Sequence, residues 1–395
     1  MILNRLFLLG ISTLSVIICR FFPLKKRIVF SSTNNRSFNF NSKPLFEFLI
    51  KNKIEGFDIS YVINDEALRT ALQHEYSGCD NVRFINTTKL SQLFYAATAK
   101  VWVSSTLEIP VISLLRDPRR ITLHLGHGIP LKNIGLSEKE IPFLNKLNRI
   151  ILINSFTDVV SYSQGMLPVM KKIFGGRDIN YIFLGQPRND LFNNDYEGLR
   201  GKLSSILGKE AILFGRNKFV LYAPTWRAYA DTKLFPFDNL DAEYISDSLC
   251  KNGIIVFVRS HPFYKAILPE RLKMCPNIIE LDSQIISDIN EYLGAFDFLV
   301  TDYSSIFFDF LCTDRKIVFI PYDYKVYESN VGFGIDYYNF TPGEKITSSD
   351  ELIFTLLDEV DNFRDARKNI REITKTKPSG NCFEVYKYLL NRING

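Results

Sequence analysis

Short apolar runs alternate with amphipathic stretches along most of this chain, break off once, and then begin again. No other feature limits the possible folds so strongly. Arg27 to Ser31, Ile59 to Ile63, Val82 to Ile85, Lys100 to Ser104, Arg120 to Leu125, Arg149 to Asn154 and Tyr181 to Leu184 are predicted strands. Helices fall near Pro44 to Lys51 and at Leu90 to Ala97, and Ser32 to Lys43 reads as a polar loop. Gly201 to Asn217 reads as a connecting helix and turn, after which Phe219 to Ala223 opens a second series. That series has strands at Ile254 to Arg259, Asn277 to Leu281, Phe296 to Thr301 and Lys316 to Pro321. Its helices fall near Ala242 to Lys251, Asp288 to Leu293 and Ser305 to Thr313. Such alternation predicts parallel sheets with helices on both faces. A chain of 395 residues exceeds one ordinary core. The expected fold is therefore α/β, two doubly wound Rossmann-type domains facing a central cleft, with ligands bound beyond the carboxyl ends of the strands. The expected division is an apolar and basic segment at 1–26, a first α/β domain at 27–205 and a second α/β domain at 206–375. A last helix, Cys382 to Arg392 within 376–395, would pack back on the first domain.

Composition removes several classes. With 46% hydrophobic and 23% charged residues the chain is globular, not disordered. A net charge of +5 without any nucleic-acid-binding motif gives no nucleic-acid partner. The six cysteines lie far apart with no Cys-x-x-Cys pair, so they read as reduced thiols and not as a disulfide framework or zinc site. Near the N-terminus, Leu6 to Cys19 is almost wholly apolar, flanked by Arg5 and by Arg20, Lys25, Lys26 and Arg27. As a helix this run reaches about 21 Å, short of the roughly 30 Å of a bilayer core. No small-x-small site follows, so a cleaved signal peptide fits poorly. With Phe21 and Phe22 beside the basic cluster, the segment is expected to lie on an anionic membrane surface, its positive flank cytoplasmic. A helix packed on the protein's own core would fit the same residues.

Four polar motifs follow strands. His124-Leu125-Gly126-His127-Gly128-Ile129-Pro130-Leu131-Lys132 offers a tight turn in which a histidine could act as general base near neutral pH. A loop histidine making one structural hydrogen bond would look the same. Tyr222 to Arg227 brings Thr225 and Arg227 to a strand end, with Trp226 between them. In Val258 to Pro262, Arg259 and His261 alternate and can face one side, good chemistry for a phosphate. A surface turn would explain either motif alone. Thr301-Asp302-Tyr303-Ser304-Ser305 runs from a buried strand into a helix, where Ser304 and Ser305 could hold an anion at the helix N-terminus or serve as an ordinary cap. P-loop and G-x-G-x-x-G patterns are missing, which argues against NTPase and dinucleotide chemistry. No Asp-x-Asp pair suggests a metal-bridged diphosphate.

Together these residues resemble the CDP-glycerol glycerophosphotransferases of teichoic-acid synthesis. His127-Gly128 with Pro130-Leu131-Lys132 is similar to that family's HGTPLK, and Gly185 to Asp190 to its G-x-PRND. Tyr222 to Arg227 matches YAPTWR, Arg259 with His261-Pro262 matches R-x-HP, and Thr301 to Ser305 matches TDYSS, with Asp309 following. Tyr322-Asp323 and Gly332-Phe333 with Asp336-Tyr337 look like its tail segment. Ile129 departs from the usual threonine, and His124 is an extra histidine without a family role. The resemblance implies a GT-B-like architecture, with 27–205 as the acceptor-side domain and 206–375 as the donor-nucleotide domain. It also implies transfer of glycerol- or ribitol-phosphate from a CDP-polyol onto a membrane-associated glycan or polyol-phosphate acceptor, with release of CMP. It places the catalytic roles on His127, as base, and His261. Arg227, Thr225, Arg259, Thr301, Asp302, Ser304 and Ser305 would hold the donor phosphates, and Lys132 and Arg188 would lie on the acceptor side. No metal or cofactor is expected. A nucleotide-sugar transferase of capsule or O-antigen synthesis would share the architecture, and so would a non-catalytic membrane scaffold.

Overall fold

A computed structural model describes residues 2–52, 56–175, 178–192, 195–209, 217–260, 266–281, 284–286 and 288–394, with side chains from residue 9 onward. Two compact units emerge. The first comprises 1–127, 135–190 and 379–395, and the second 128–134 and 191–378.

The first unit is built on seven parallel strands: β1 (Lys25–Ser31), β2 (Asp58–Val62), β3 (Val82–Ile85), β4 (Ala99–Ser104), β5 (Ile121–His124), β6 (Asp158–Val160) and β7 (Asn180–Ile182). Their order is β3-β2-β1-β4-β5-β6-β7, a doubly wound sheet with its reversal beside β1. Around it lie α1 (Ile2–Cys19), α2 (Ser42–Lys51), α3 (Glu66–Glu75), α4 (Leu90–Ala97), α5 (Phe143–Ile153) and α6 (Leu167–Phe174). Val29, Phe30, Val101 and Val103 are completely buried, as strands covered on both faces require. Beside them Phe30, Phe46 and Tyr61 pack ring against ring, with centroids 5.5 to 6.0 Å apart.

Six parallel strands form the second unit: β8 (Lys218–Ala223), β9 (Ile254–Val258), β10 (Ile278–Glu280), β11 (Phe298–Thr301), β12 (Lys316–Phe319) and β13 (Glu344–Lys345). Their order, β10-β9-β8-β11-β12-β13, repeats the plan of the first sheet. The helices here are α7 (Tyr196–Ile206), α8 (Ala242–Lys251), α9 (Ile306–Phe310), α10 (Tyr324–Asn330), α11 (Tyr337–Phe340), α12 (Ser349–Leu357) and α13 (Arg364–Thr374). Asp241 and Ser348 cap α8 and α12 by accepting from Tyr244 and Glu351 N–H. The last helix, α14 (Asn381–Asn394), belongs to the first unit, where Asp190 accepts from the N–H groups of Asn381 and Cys382 at 2.9 and 2.8 Å.

Several expectations need correction. Arg149 to Asn154 is the end of α5, not a strand: its apolar run continues the helical spacing of Phe143, Leu144 and Leu147, which a short window cannot distinguish from a strand. Asp288 to Leu293 is a 3-10 turn, and the helix after Ser305 holds five α-helical residues before it tightens to 3-10. Residues 191–205, assigned from sequence to the first domain, are counted with the second. Tyr196 donates to Asp297 at 2.8 Å and Arg200 pairs with the same carboxylate at 2.5 Å. Lys132, expected on the acceptor side, also belongs to the second unit, where it bridges to Phe333 in antiparallel fashion.

In α1, Ser12, Ser15, Val16 and Cys19 are buried and the helix packs along α4. Leu14 and Ile18 on the other side, and Phe21 just beyond, are exposed. Val16 and small residues thus face the protein, while Leu14 and Ile18 face outward. Among the described residues no helix is long and apolar enough to cross a membrane.

Candidate functional site

Each sheet delivers polar residues at the carboxyl ends of its strands. In the first unit β5 ends at His124, and the chain turns at Gly126, whose φ of 75° is one that side-chain-bearing residues rarely adopt. The turn leaves His124 buried and His127 exposed. Packed edge-on against Phe156 and Phe174, at 5.1 and 4.9 Å, the His124 imidazole is pushed down to about 3 by burial and, to a lesser extent, by His127. It is neutral across the physiological range. His127 Nδ1 lies 3.3 Å from the Ser105 carbonyl oxygen, and the His127 ring sits 5.4 Å from that of Phe40, a residue with left-handed backbone at φ 55°.

Arg188 is also in this cluster. Its side chain is buried and Nη1 donates to the His127 carbonyl oxygen at 2.6 Å. The Gly-x-Pro-Arg-Asn-Asp stretch therefore braces the histidine turn through Arg188 and caps α14 through Asp190. Sequence reasoning missed Asn41 and Ser105, which also contact this turn; each is an unremarkable polar residue in a loop or at a strand end.

In the second unit the expected phosphate ligands divide into two kinds. Arg227 has a completely buried side chain, with Nη1 on Asp302 at 2.7 Å and Nε and Nη2 on Asp323 at 2.9 and 2.8 Å. Its guanidinium is occupied by two carboxylates, so the expectation that it faces a diphosphate is corrected. Asp302 also accepts from the N–H of Thr225 and Tyr303, and Asp323 from the hydroxyls of Tyr303 and Tyr229. Burial alone would raise the Asp323 carboxyl, yet Arg227 and the two tyrosines hold it below the usual carboxylate range. Thr301 is likewise internal, donating to the Ala223 carbonyl at 2.7 Å and so tying β11 to β8.

Other motif residues stand at the same strand ends. Thr225 Oγ1 is buried and has no hydrogen-bond partner among the described residues. Arg259 is half-buried, with Nη1 on the Leu281 carbonyl at 3.2 Å. Ser305 makes no side-chain cap, and Ser304 Oγ accepts from Ile306 N–H at 3.4 Å. His261 lies outside the described residues. Among the described residues no three His, Cys, Asp or Glu side chains are arranged to hold a metal ion.

Two doubly wound sheets with polar groups gathered at their strand ends are the architecture of nucleotide-using α/β enzymes. A solved structure of the wall teichoic acid polymerase TagF matches with a TM-score of 0.75 at 18% identity, over 100% of this chain and 96% of that one. A UDP-N-acetylglucosamine 2-epimerase matches at 0.50 and 10% identity, over 91% and 92%. Both likenesses concern the fold. The teichoic acid poly(glycerol phosphate) polymerase of Bacillus spizizenii is 29% identical, over 83% of this chain and 82% of its own length. The teichoic acid glycerol-phosphate transferase of Staphylococcus aureus is 28% identical over 86% of each chain. Other relatives are longer: this chain covers 62% of the Staphylococcus aureus ribitol-phosphate polymerase TarK, at 25% identity and over 85% of this chain.

The family model for CDP-glycerol:poly(glycerophosphate) glycerophosphotransferases matches residues 14–377, and the chain belongs to that family. It is an enzyme of the glycerol- and ribitol-phosphate transferases of teichoic acid synthesis.

Proposed function

We propose that this enzyme moves glycerol-phosphate or ribitol-phosphate from a CDP-polyol onto the hydroxyl of a lipid-linked glycan or polyol-phosphate acceptor. The acceptor O–H gives its proton to His127 while its oxygen attacks the distal phosphorus. The bond from that phosphorus to the bridging oxygen breaks, and CMP leaves with the electron pair. Such a step depends on positioning and on neutralising charge. Arg259 and His261 neutralise the diphosphate, with the hydroxyls of Thr225, Ser304 and Ser305 as further contacts. Arg227, Asp302 and Thr301 shape that site from beneath, and Arg188 does the same for the His127 turn. The observation that carries this reading is the exposed His127 imidazole held at Nδ1 by a carbonyl oxygen, which leaves the basic lone pair on Nε2.

The acceptor is reached at the cytoplasmic face of the membrane. Supporting this are the outward residues Leu14, Ile18, Phe21 and Phe22 and the exposed Ile112, Leu114 and Leu115. Thr13 Oγ1 accepts from Leu114 N–H at 3.2 Å, and Arg20 donates to the Arg116 carbonyl at 2.6 Å, so these segments share one apolar and basic face.

A donor screen with CDP-glycerol, CDP-ribitol and a UDP-sugar, on acceptor embedded in anionic vesicles, tests the reaction. The expected result is CMP release with acceptor mass rising by whole polyol-phosphate units. Turnover of the UDP-sugar alone would replace this reading with sugar transfer.

A further inference from the structure

The contacts that fix the His127 turn come from side chains and carbonyls that the proton transfer does not itself consume. A carbonyl oxygen can only accept, so the 3.3 Å contact from Ser105 O places the proton of a neutral His127 on Nδ1. Ser105 is anchored in turn: its Oγ accepts from Ser42 N–H at 2.6 Å and lies 2.8 Å from Ser42 Oγ, which donates to the Ser31 carbonyl at the end of β1 at 2.9 Å. Asn41, completely buried, holds the turn from the other side. Its Nδ2 donates to the carbonyls of Gly126 and Leu125 at 2.7 and 3.4 Å, while its Oδ1 accepts from Arg188 N–H at 2.9 Å. One amide thus ties the histidine turn to the segment whose guanidinium grips the His127 carbonyl.

We propose that Asn41 and Ser105 are positioning residues for the general base: Asn41 sets where the His127 ring stands, and the Ser105 carbonyl sets which nitrogen carries its proton. This inference rests on His127 being the base. Without the Asn41 amide, the Gly126 carbonyl and the Arg188 N–H lose their shared partner and the turn can drift, and small displacements of a reacting group are costly.

The test uses full-length protein with 15N-labelled histidine, the His127 signals being assigned by their loss in His127→Asn. Long-range 1H–15N spectra of the wild type should show neutral His127 protonated at Nδ1. In Asn41→Ala the spectrum should move toward the Nε2–H form, with kcat falling about tenfold to a hundredfold and KM for the CDP-polyol unchanged. Ser105→Ala, a smaller change, should shift both readouts the same way, with kcat down about threefold to tenfold. It decides the matter together with the wild-type spectrum if Asn41→Ala does not fold. A wild-type His127 protonated at Nε2 overturns the proposal. So does a variant that lowers Tm while leaving tautomer and kcat alone. Full turnover by His127→Ala would instead remove the base assignment and leave the tautomer result standing.

Discussion

His127 and Arg227 both follow strands in parallel sheets, and both looked like ligand-facing residues, yet the structure uses them in opposite ways. His127 is exposed and is held from behind through backbone contacts. Arg227 is completely enclosed and spends its charge on Asp302 and Asp323. The difference lies in what surrounds each strand end: the buried Asp302 and the largely enclosed Asp323 demand an enclosed cation, whereas a carbonyl oxygen holds the exposed His127 imidazole at Nδ1. A cation in a site motif can therefore be a brace.

The sharpest way to break that contrast is Arg227→Met. Removing the cation leaves the buried Asp302 and the largely enclosed Asp323 carboxylates uncompensated, which should cost about 3–5 kcal/mol of stability in denaturant unfolding. Acid should matter as well. Because Asp323 is held below its unfolded value of about 3.9, its contribution is complete above that pH and is lost as pH falls through the lower folded value. Wild type should lose this stabilisation below about pH 4, and Arg227→Met should have little of it left to lose. A variant as stable as wild type would mean that the guanidinium is not a brace.

A smaller effect is expected at His124. Between its usual value of about 6.5 and its folded value of about 3, the unfolded chain takes up a proton that the folded chain refuses. Stability should therefore fall as pH drops through that window, and His124→Leu should flatten the fall while changing Tm little at neutral pH. An unchanged slope would show that His124 does not set it. The smallest effect is at Thr225. If its buried hydroxyl meets a partner only in the donor complex, Thr225→Val should leave the free enzyme as stable or more so, and weaken CDP-polyol binding by about 0.5–1.5 kcal/mol in calorimetry. Unchanged binding would remove Thr225 from the donor site.

The sheets were legible because buried parallel strands must be apolar on both faces, as β8 and β9 show. The end of α5 was not, since Arg149 to Asn154 carries an apolar run without its helical context. Motif positions were legible, but side-chain partners were not. Asp302 and Asp323 lie 75 and 96 residues from Arg227, and Asn41 lies 85 residues from Gly126. Nothing in local spacing reports such pairings, so a guanidinium locked between two carboxylates reads like any other arginine of a motif. Asn41 and Ser105 escaped notice for the same reason, as their importance comes only from what the fold brings beside them.

The central claim is the proposal that His127 is the general base for transfer from the CDP-polyol. It is tested most directly by His127→Ala, with CDP-glycerol and CDP-ribitol affinity measured by calorimetry beside turnover on vesicle-embedded acceptor. The account predicts affinity near wild type with turnover reduced about a hundredfold or more, the scale of a lost general base. Undiminished turnover, or a loss explained wholly by weaker donor binding, would contradict it.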